Sequence, residues 1–288
     1  MSTQITNAMI KEFGDKINLL ASQKTSRLRA FFDEEAIHGE ESAFEQIGNV
    51  EMADVASRHT DTVYTDTPHS RRWITPVTSD IADLVDRKDR EKINIDPDGP
   101  YAMRYGEAWG RRVDDHIINA AFATSRTGKD GTGSDAFPAG NVIARTFDTG
   151  PGLTFGKVRE AKRLLDAGEV DQENRVAIIG SQQVSDLMNL SQATSRDYVP
   201  TEPLMEGKIF RWMGFTWVQT ERLLVTADPA ERCIFAHRDG LKLGIASDVF
   251  TSLDVLPSKR HSTQVYAAGT AGATRMESAR VIEVICGV

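Results

Sequence analysis

The sequence predicts an α+β fold, and two features carry that prediction. A long helical pattern runs from Pro100 to about Ser125, and segments rich in β-branched and aromatic residues lie on both sides of it. These helical and extended segments are interleaved without the regular period of repeated βαβ units, so a doubly wound sheet is not expected. With 288 residues, the chain can form one large domain or two small ones.

Composition and charge restrict the function classes. Hydrophobic residues make up 40% of the chain and charged residues 26%, as in soluble globular proteins. No apolar run is long enough to span a membrane, and the first residues lack the apolar core of a secretory signal. The net charge of −8 argues against a dedicated nucleic-acid-binding domain, which normally presents a basic face. Cys233 and Cys286 have no metal-ligand spacing and are expected to be buried thiols in a reducing compartment.

The N-terminal segment combines a helical stripe with a following acidic run. The stripe consists of Ile5, Met9, Phe13, Ile17 and Leu20. We expect an arm that lies on another surface, and an independent N-terminal helix is the alternative. Residues 50 to 77 predict a long hairpin with strands over Thr60–Thr67 and Arg71–Val77 and a turn at Pro68. Because a ribbon with so few apolar residues is marginal alone, we expect support from a neighbouring subunit; a solvated hairpin is the alternative.

The long helix has a defined start and one apolar face. Asp98 and Gly99 are cap candidates, and Pro100 fits the first helical position, where no N–H partner is needed. The apolar stripe consists of Ala102, Tyr105, Trp109, Val113, Ile117 and Ala121. On the outer face, the helical spacing of three or four residues predicts ion pairs of two arginines with two aspartates, namely Arg111, Arg112, Asp114 and Asp115. His116 is expected on the exposed side.

The second half of the chain predicts shorter elements. The glycine-rich residues 127–140 predict a mobile surface loop, because Asp130 after Lys129 breaks the spacing of a phosphate loop. The predicted elements are a helix over Thr154–Ala167 capped by Thr154, a strand over Arg175–Gly180, a helix capped by Ser181, and a hairpin over Gly207–Thr220 that turns at Met213-Gly214. Further strands are predicted at Cys233–Ala236, Phe250–Leu256, Thr263–Ala268 and Val281–Ile285.

No motif for catalysis, cofactor binding or metal binding is present. Ser181 follows a buried strand but lacks the G-x-S-x-G elbow of a nucleophile. The sequence contains neither H-E-x-x-H nor G-x-G-x-x-G, and its acidic residues are scattered. We therefore predict no catalytic, cofactor-binding or metal-binding residues, and no enzyme activity.

Several stretches, taken in order, resemble the major capsid proteins of tailed bacteriophages with the Hong Kong 97-type fold. The resemblance spans residues 45 to 288 and rests on Asp66-Thr67-Pro68-His69-Ser70-Arg71-Arg72, Thr75-Pro76-Val77, Asp96-Pro97, Pro100-Tyr101-Ala102, Asp114-Asp115, Ile117-Ile118, Gly207-Lys208-Ile209, Trp212, Gly214, Phe215, Gln264-Val265-Tyr266 and Gly272-Ala273-Thr274-Arg275. Each stretch alone is weakly specific, and their order carries the resemblance.

The resemblance implies a domain layout. It gives an N-terminal arm at 1–45, an extended loop with flanking strands at 46–97, a peripheral domain with the long spine helix at 98–149 and 246–279, and an axial domain at 150–245 and 280–288. It also implies a subunit that assembles into the pentamers and hexamers of an icosahedral shell around a double-stranded DNA genome, in the host cytoplasm and then in the virion. The expected partners are further copies of the chain, a scaffolding protein and a portal protein, with a decoration protein as an optional partner. Only non-specific DNA contact and no membrane contact are expected.

The resemblance also suggests contact residues between subunits, which are Arg71, Arg72, Trp73, Arg111, Arg112, Asp114 and Asp115. We expect Arg71 and Arg72 to form ion pairs at the tip of the extended loop. Some capsids of this fold cross-link subunits through a loop lysine, but no lysine occurs here between Lys24 and Lys88, so no such cross-link is expected. The short segment before the arm suggests separate scaffolding.

Three alternatives stay open at this stage. An encapsulin-type nanocompartment shell would share the fold and enclose an enzyme in place of a genome. A cytoplasmic enzyme with a diffuse active site would be a small oligomer. A tail protein would form tubes or rings.

Overall fold

The computed structural model describes residues 22–55, 57–58, 61–62, 64–86, 98–148, 150–190, 211–226 and 229–287. The predicted stripe from Ile5 to Leu20 lies outside the described residues. The α-helices of the described part are α1 (Asp98–Phe122), α2 (Phe155–Ala167) and α3 (Ser181–Met188). Its strands are β1 (Asp33–Ala36), β2 (Ser42–Ile47), β3 (His69–Ile74), β4 (Val77–Val85), β5 (Ser125–Thr127), β6 (Gly133–Asp135), β7 (Val142–Ile143), β8 (Arg175–Ile179), β9 (Arg211–Trp212), β10 (Phe215–Gln219), β11 (Ala230–His237), β12 (Leu241–Leu256), β13 (Ser262–Arg275) and β14 (Val281–Gly287).

The strands form three sheets, which confirms the α+β prediction. The first sheet has the order β1-β12-β13-β4 and contains the long hairpin β12–β13. The second has the order β7-β14-β11-β8-β10-β9, in which β8 runs parallel to β10 and antiparallel to β11. The third has the order β2-β3-β5-β6. Within the described residues, no helix is both long and apolar enough to cross a membrane.

Helix α1 packs its predicted stripe against the first sheet, where it contacts β12 and β13. The stripe is buried from Tyr105 to Ala121, while Ala102 is half-buried. The helix has 25 residues, which corresponds to about 37 Å. At its C-terminal end, the guanidinium of Arg275 donates hydrogen bonds to the carbonyls of Ala121 and Ala123 at 3.1 and 2.6 Å. A buried cation thus satisfies carbonyl groups that a helix end leaves without partners.

The second sheet contributes most strands to the larger of two apolar clusters, which also includes residues of α1, β12 and β13. All five residues of β8 are buried, since the strand lies inside the sheet. Helix α2 covers β14, and its Thr154 cap accepts a hydrogen bond from the N–H of Lys157, as predicted. Cys233 and Cys286 are both buried free thiols in this core. The predicted hairpin turn at Met213-Gly214 is confirmed, with φ values of 55° and 85° that match the mirror-image turns of two-residue hairpins.

The predicted first strand of the extended hairpin is wrong. Strand β3 pairs with β2, which lies upstream of the loop, and the described residues 61–62 and 64–67 are not in a strand. β-branched residues gave the segment over Thr60–Thr67 its strand pattern, but strand preference depends on cross-strand neighbours. Strand β2 supplies those neighbours, because its alternate residues are half-buried against β3. Residues 48–68 connect the two strands, and the described residues among them lie in no strand. We call residues 48–68 the extended loop.

Two other local predictions need correction. The cap of α3 is Gly180, whose N–H donates to Gln183 Oε1 at 2.9 Å, and Ser181 is the first helical residue. The glycine-rich residues after α1 are not an irregular loop, because β5 and β6 form a hairpin there. Gly128 and Gly131 have φ values of 87° and 68°, which allow the tight connection between these strands.

Candidate subunit interface

Residues 22–28 lie along α1 and are attached to it by a buried carboxylate. Asp114 is fully buried and accepts a hydrogen bond from Ser26 Oγ at 2.5 Å. It also accepts from the N–H groups of the two residues that follow Ser26, at 3.0 and 3.1 Å, and from the side-chain amide of Gln23. One carboxylate therefore satisfies several donors of a segment that would otherwise have no regular partner.

A second set of contacts continues this attachment toward the start of α1. Glu107 accepts hydrogen bonds from Ser22 Oγ at 2.7 Å and from Arg104 at 2.8 Å, and the hydroxyl of Ser22 lowers the pKa of Glu107. Gly110 allows the close approach, since a Cβ there would lie 2.7 Å from the backbone nitrogen of Ser26. The segment thus leaves the described part at residue 22, beside the N-terminal half of the spine helix.

The predicted ion pairs within α1 are wrong, because the carboxylates have partners from other parts of the chain. Asp114 accepts hydrogen bonds from residues within 22–28, as described above. Asp115 forms a two-point ion pair with Arg222, at 2.6 and 2.5 Å. Such a two-point pair has better geometry than the flexible pairs expected between residues three or four apart in a helix.

The two arginines of α1 also contact other segments. Arg111 donates to the carbonyl of Gln23 at 3.1 Å, and Arg112 donates through Nε to Ser79 Oγ at 3.1 Å. His116 is half-buried, contrary to the expectation of an exposed side chain, and its Nε2 is buried without a hydrogen-bond partner. Burial lowers the pKa of His116, and the positive charge of Arg112 lowers it further.

The structure places the contact candidates of β3 at the base of the extended loop and not at its tip. Arg71 pairs with Glu45 on β2, and Arg72 pairs with Asp135 on β6 at 2.7 Å. Trp73 Nε1 donates at 2.8 Å to the carbonyl of residue 128 in the turn after β5. These contacts join β2, β3, β5 and β6 into a rigid base from which the loop projects.

The extended loop carries apolar side chains that are exposed to solvent. The relative exposure is 103% for Met52, 92% for Tyr64 and 85% for Val55. The loop also carries four carboxylates and one arginine, and all four carboxylates are exposed. Exposed apolar groups of this kind mark interaction sites when they lie together on one segment.

Two grooves lie beside Trp109, on the two sides of α1. One, of about 420 Å³, lies toward β4 and has a floor of small residues that includes Gly269. The other, of about 530 Å³, lies toward residues 24–30. Gly269 lets the indole lie against β13, because a Cβ there would be 2.7 Å from the ring. Trp109 Nε1 donates to Asp248 Oδ1 at 2.7 Å, which fixes the ring between the grooves.

Burial and hydrogen bonding have opposite effects on the pKa of Asp248. Burial alone would raise the pKa of Asp248, but hydrogen bonds from Val249 N–H, Arg29 and Trp109 outweigh it and lower the pKa. Nothing in the local sequence marks Asp248, because its partners come from the arm segment and from α1. The sequence analysis therefore missed it, as it missed Arg222 and Gly269.

No three His, Cys, Asp or Glu side chains within this part of the chain lie together as a metal site requires. The exposed features of this part of the chain are the apolar side chains of the extended loop, two open grooves beside Trp109, and residues 22–28 along α1.

Comparisons with known proteins agree with this geometry. The family model for phage capsid proteins matches residues 5–288. No curated protein sequence matches the chain.

Solved capsid structures share the fold over nearly the whole chain. A structure from Mycobacterium phage Che8 superimposes with a TM-score of 0.71 at 16% identity and covers 96% of each chain. The capsid asymmetric unit of cyanophage Pam1 gives a TM-score of 0.73 at 16% identity, with 98% of this chain and 97% of that chain covered. The capsid of a native GTA particle gives 0.67 at 13% identity, with 97% and 95% covered.

Proposed function

This chain belongs to the phage capsid protein family and has the Hong Kong 97-type fold, and from that premise we propose how its copies build the virion shell. As a capsid protein, it functions by repeated association with itself. We propose that the copies close as pentamers and hexamers into an icosahedral shell around the double-stranded DNA genome of a tailed phage. Rings of this kind use head-to-tail contacts that close.

The two proposed domains correspond to different sheets. Residues 150–245 and 280–288, which include most of the second sheet, form the axial domain near the centre of each ring. Residues 98–149 and 246–279, with α1 and most of the β12–β13 hairpin, form the peripheral domain. The burial of all five residues of β8 supports a compact axial part. The apolar cluster that contains β8 also includes Trp109, Val113 and Ala271, so the core is shared across the proposed boundary.

The single observation that carries the proposal is the extended loop. It projects Met52, Val55 and Tyr64 into solvent from a base held by Arg71 and Arg72. Apolar side chains exposed on a loop are unfavourable in an isolated subunit and become favourable when a neighbour covers them. The loop therefore reaches over a neighbouring subunit, whereas residues 22–28 and β1 of the predicted arm are bound within their own subunit.

The contact candidates have different roles in this proposal. Asp114 and Asp115 hold residues of their own subunit, whereas Arg71 and Arg112 keep part of their surface exposed and are available to a neighbour. The absence of lysine between Lys24 and Lys88 favours a shell without lysine cross-links from the loop. Denaturing gels of mature particles should then show single subunits and no covalent ladder.

Further partners follow from the capsid role. A separate scaffolding protein, a portal protein and a decoration protein are the proposed partners of the shell, which assembles in the host cytoplasm. The acidic balance of the chain supports only non-specific contact with the packaged DNA. No catalytic step is part of this function.

Sedimentation of the expressed protein tests the proposal, with scaffolding protein supplied where the wild type requires it. The wild type should sediment as large uniform particles. Replacing Met52, Val55 and Tyr64 with serine should leave folded subunits that do not form particles, because the loop loses its apolar contacts. A control with Thr62, Thr65 and Thr67 changed to serine alters the same loop without that loss and should form particles. A wild type that stays a small oligomer under all conditions would refute the proposal.

A further inference from the structure

The chain passes between the first and the second sheet at two adjacent turns. Residues 238–240 connect β11 to β12, and residues 276–280 connect β13 to β14. The N–H of Met276 donates a hydrogen bond to the carbonyl of Gly240 at 2.9 Å. A Cβ on Gly240 would lie 3.0 Å from the Cβ of Arg280, so the two turns are in close contact. We call the two turns together the inter-sheet joint.

The two strands that flank the extended loop both bind one carbonyl group of this joint. The carbonyl of Met276 accepts a hydrogen bond from Arg72 Nε at 2.8 Å and another from Gln46 Nε2 at 3.1 Å. Gln46 lies on β2, before the loop, and Arg72 lies on β3, after it. Because a carbonyl oxygen has two lone pairs, these two donors use its full capacity. Both ends of the loop are therefore attached to the joint at a single atom.

Asp135 on β6 extends this network. Its carboxylate accepts hydrogen bonds from Arg72 Nη2 at 2.7 Å and from Ser278 Oγ at 3.2 Å. Ser278 Oγ also accepts from Arg275 Nε at 3.1 Å, and Arg275 binds the end of α1 as described above. The side chain of Arg72 is only 13% exposed, so its hydrogen bonds are largely shielded from water and are stronger than exposed ones.

We propose that these bonds couple the direction of the extended loop to the angle between the first and the second sheet. When the joint turns relative to β2 and β3, the Met276 carbonyl loses Arg72 and Gln46 together, and a tilt of the two strands has the same effect. The loop and the joint therefore change position as one unit. Arg72 and Gln46 are positioning residues, since their partners lie within the subunit. This inference rests on the proposed shell function and describes how one subunit responds to its neighbours.

The coupling has a role in a shell that contains both pentamers and hexamers. Identical chains occupy unlike positions in such a shell, so the extended loop meets its neighbour in more than one direction. A neighbour that redirects the loop also redirects the second sheet of the same subunit, through the bonds to the Met276 carbonyl. Packed elements switch between discrete arrangements, so a small shift at one contact has an effect elsewhere in the subunit.

The first half of the test changes the strands beside the loop and measures the joint. Arg72→Met and Gln46→Leu each remove one donor to the Met276 carbonyl. Hydrogen exchange of the soluble subunit should be faster by about fivefold or more at the amides of Met276 and Arg280, because each lost bond makes opening of the joint easier. Gln46→Leu replaces one neutral, half-buried amide, so it gives a folded subunit even where Arg72→Met does not.

The matched control is Arg126→Met, on β5 of the same sheet. Arg126 donates to the carbonyl of Gly131 at 3.1 Å and to Thr75 Oγ1 at 2.9 Å, and it pairs with Glu41. These partners lie outside the joint, and the pair with Glu41 is partly exposed and therefore weak. Exchange at the amides of the joint should stay as in the wild type.

The second half of the test changes the joint and measures the strands beside the loop. Gly240→Ala places a Cβ against Arg280, which forces the two turns apart. Since coupling between two sites is reciprocal, amides of β2 and β3 should then exchange faster as well. A purely local role of Gly240 would leave those strands unchanged. The control is Gly106→Ala, whose Cβ meets nothing within 4 Å.

Particle formation provides a readout of the shell function itself. The wild type should form closed shells of uniform size, and Gln46→Leu should lower the uniform fraction, while Arg126→Met should not. A wild type that makes no particles would refute the shell function, whatever the exchange data show. Exchange at the joint that is equal in Gln46→Leu and Arg126→Met, or exchange in β2 and β3 that is equal in Gly240→Ala and Gly106→Ala, would overturn the coupling and leave the shell function standing.

Discussion

Asp114 accepts a hydrogen bond from Ser26 Oγ at 2.5 Å across 88 residues of sequence. This bond, with those from the two backbone N–H groups that follow Ser26, fixes residues 26–28 of the arm to the middle of the spine helix. The direction in which the arm leaves the subunit is therefore set by a residue of α1.

Replacing Asp114 with alanine should release residues 22–28 from α1. The change leaves two backbone N–H groups and a hydroxyl without their acceptor, which costs about 2 to 3 kcal/mol. Hydrogen exchange of the soluble subunit should show faster exchange at the amides of Arg27 and Leu28, with α2 and the second sheet unchanged. Asp115→Asn is the control, because it removes a carboxylate of the same helix that serves Arg222. Equal exchange in both variants would contradict this role of Asp114.

Two glycines one turn apart in α1 should respond in opposite ways to alanine. At Gly106 a Cβ meets nothing within 4 Å, so alanine should stabilise the helix by about 0.5 to 1 kcal/mol. At Gly110 a Cβ would lie 2.7 Å from the backbone of Ser26, so alanine should push the arm segment away and destabilise the subunit. Denaturant unfolding of the two variants measures the difference. Similar stabilisation by both changes would show that the arm segment does not lie where the structure places it.

Replacing Arg275 with methionine should strongly destabilise the subunit. The guanidinium donates hydrogen bonds to the carbonyls of Ala121 and Ala123, and at 2.9 Å to the carbonyl of Asp135. Burial lowers the pKa of Arg275 from its usual value, but the carbonyl contacts still hold the cation in place. Losing bonds to a buried charged group costs about 3 kcal/mol or more.

The control for this change is Arg280→Met, which removes an arginine whose ion pairs with Glu277 and Asp239 lie at the surface. Surface pairs contribute about 0 to 1 kcal/mol. Thermal unfolding should therefore show a large decrease in Tm for Arg275→Met and a small one for Arg280→Met. A decrease of the same size in both variants would contradict the role of Arg275 at the helix end.

The pH dependence of stability should reveal the raised pKa of the Glu231 carboxyl. Burial raises the pKa of Glu231, the nearby charge of Glu221 raises it further, and its Oε2 is buried without a hydrogen-bond partner. Because the folded pKa lies above the unfolded value, the unfolded state loses this proton first, and stability falls as pH rises above about 4.5 toward the folded pKa. Glu231→Gln should remove that loss.

Unfolding curves from pH 4 to pH 7 measure this effect as a difference between variants. Relative to the wild type, Glu231→Gln should become more stable as pH rises. Glu173→Gln, in an exposed turn, makes the same change in charge and should track the wild type. A Glu231→Gln variant with no relative gain at pH 7 would contradict the account of this buried carboxyl.

Local chemistry explains which elements the sequence could predict. The helix α1 follows from its period, although it begins at Asp98, so that Pro100 is its third residue and not the predicted first. The strand β8 follows from a short apolar run, and the turn at Met213-Gly214 from a glycine between aromatic strands. These signals lie within a few residues of the element they define. The α+β class and the Hong Kong 97-type fold could therefore be predicted from the sequence.

Long-range partners explain what the sequence missed. The strand β2 pairs with β3 across a loop of more than twenty residues, and nothing local specifies that register. The buried role of Asp114 depends on residues 22–28, and that of Gly269 depends on Trp109, which lies on another element. The helical spacing would allow ion pairs within α1. The two carboxylates instead bind partners from other segments, Ser26 for Asp114 and Arg222 for Asp115. The domain boundaries and the contact residues between subunits stay predictions.

Negative-stain electron microscopy of the purified protein, expressed alone and with its scaffolding protein, tests the central claim most directly. The account predicts closed polyhedral shells of uniform size, and it predicts their loss when Met52, Val55 and Tyr64 are replaced. Nuclease-protected double-stranded DNA inside particles from infected cells would identify them as genome containers, and an enclosed enzyme would identify a nanocompartment. A small oligomer of uniform size that persists with scaffold present and across salt concentrations would contradict the claim that this chain builds a shell.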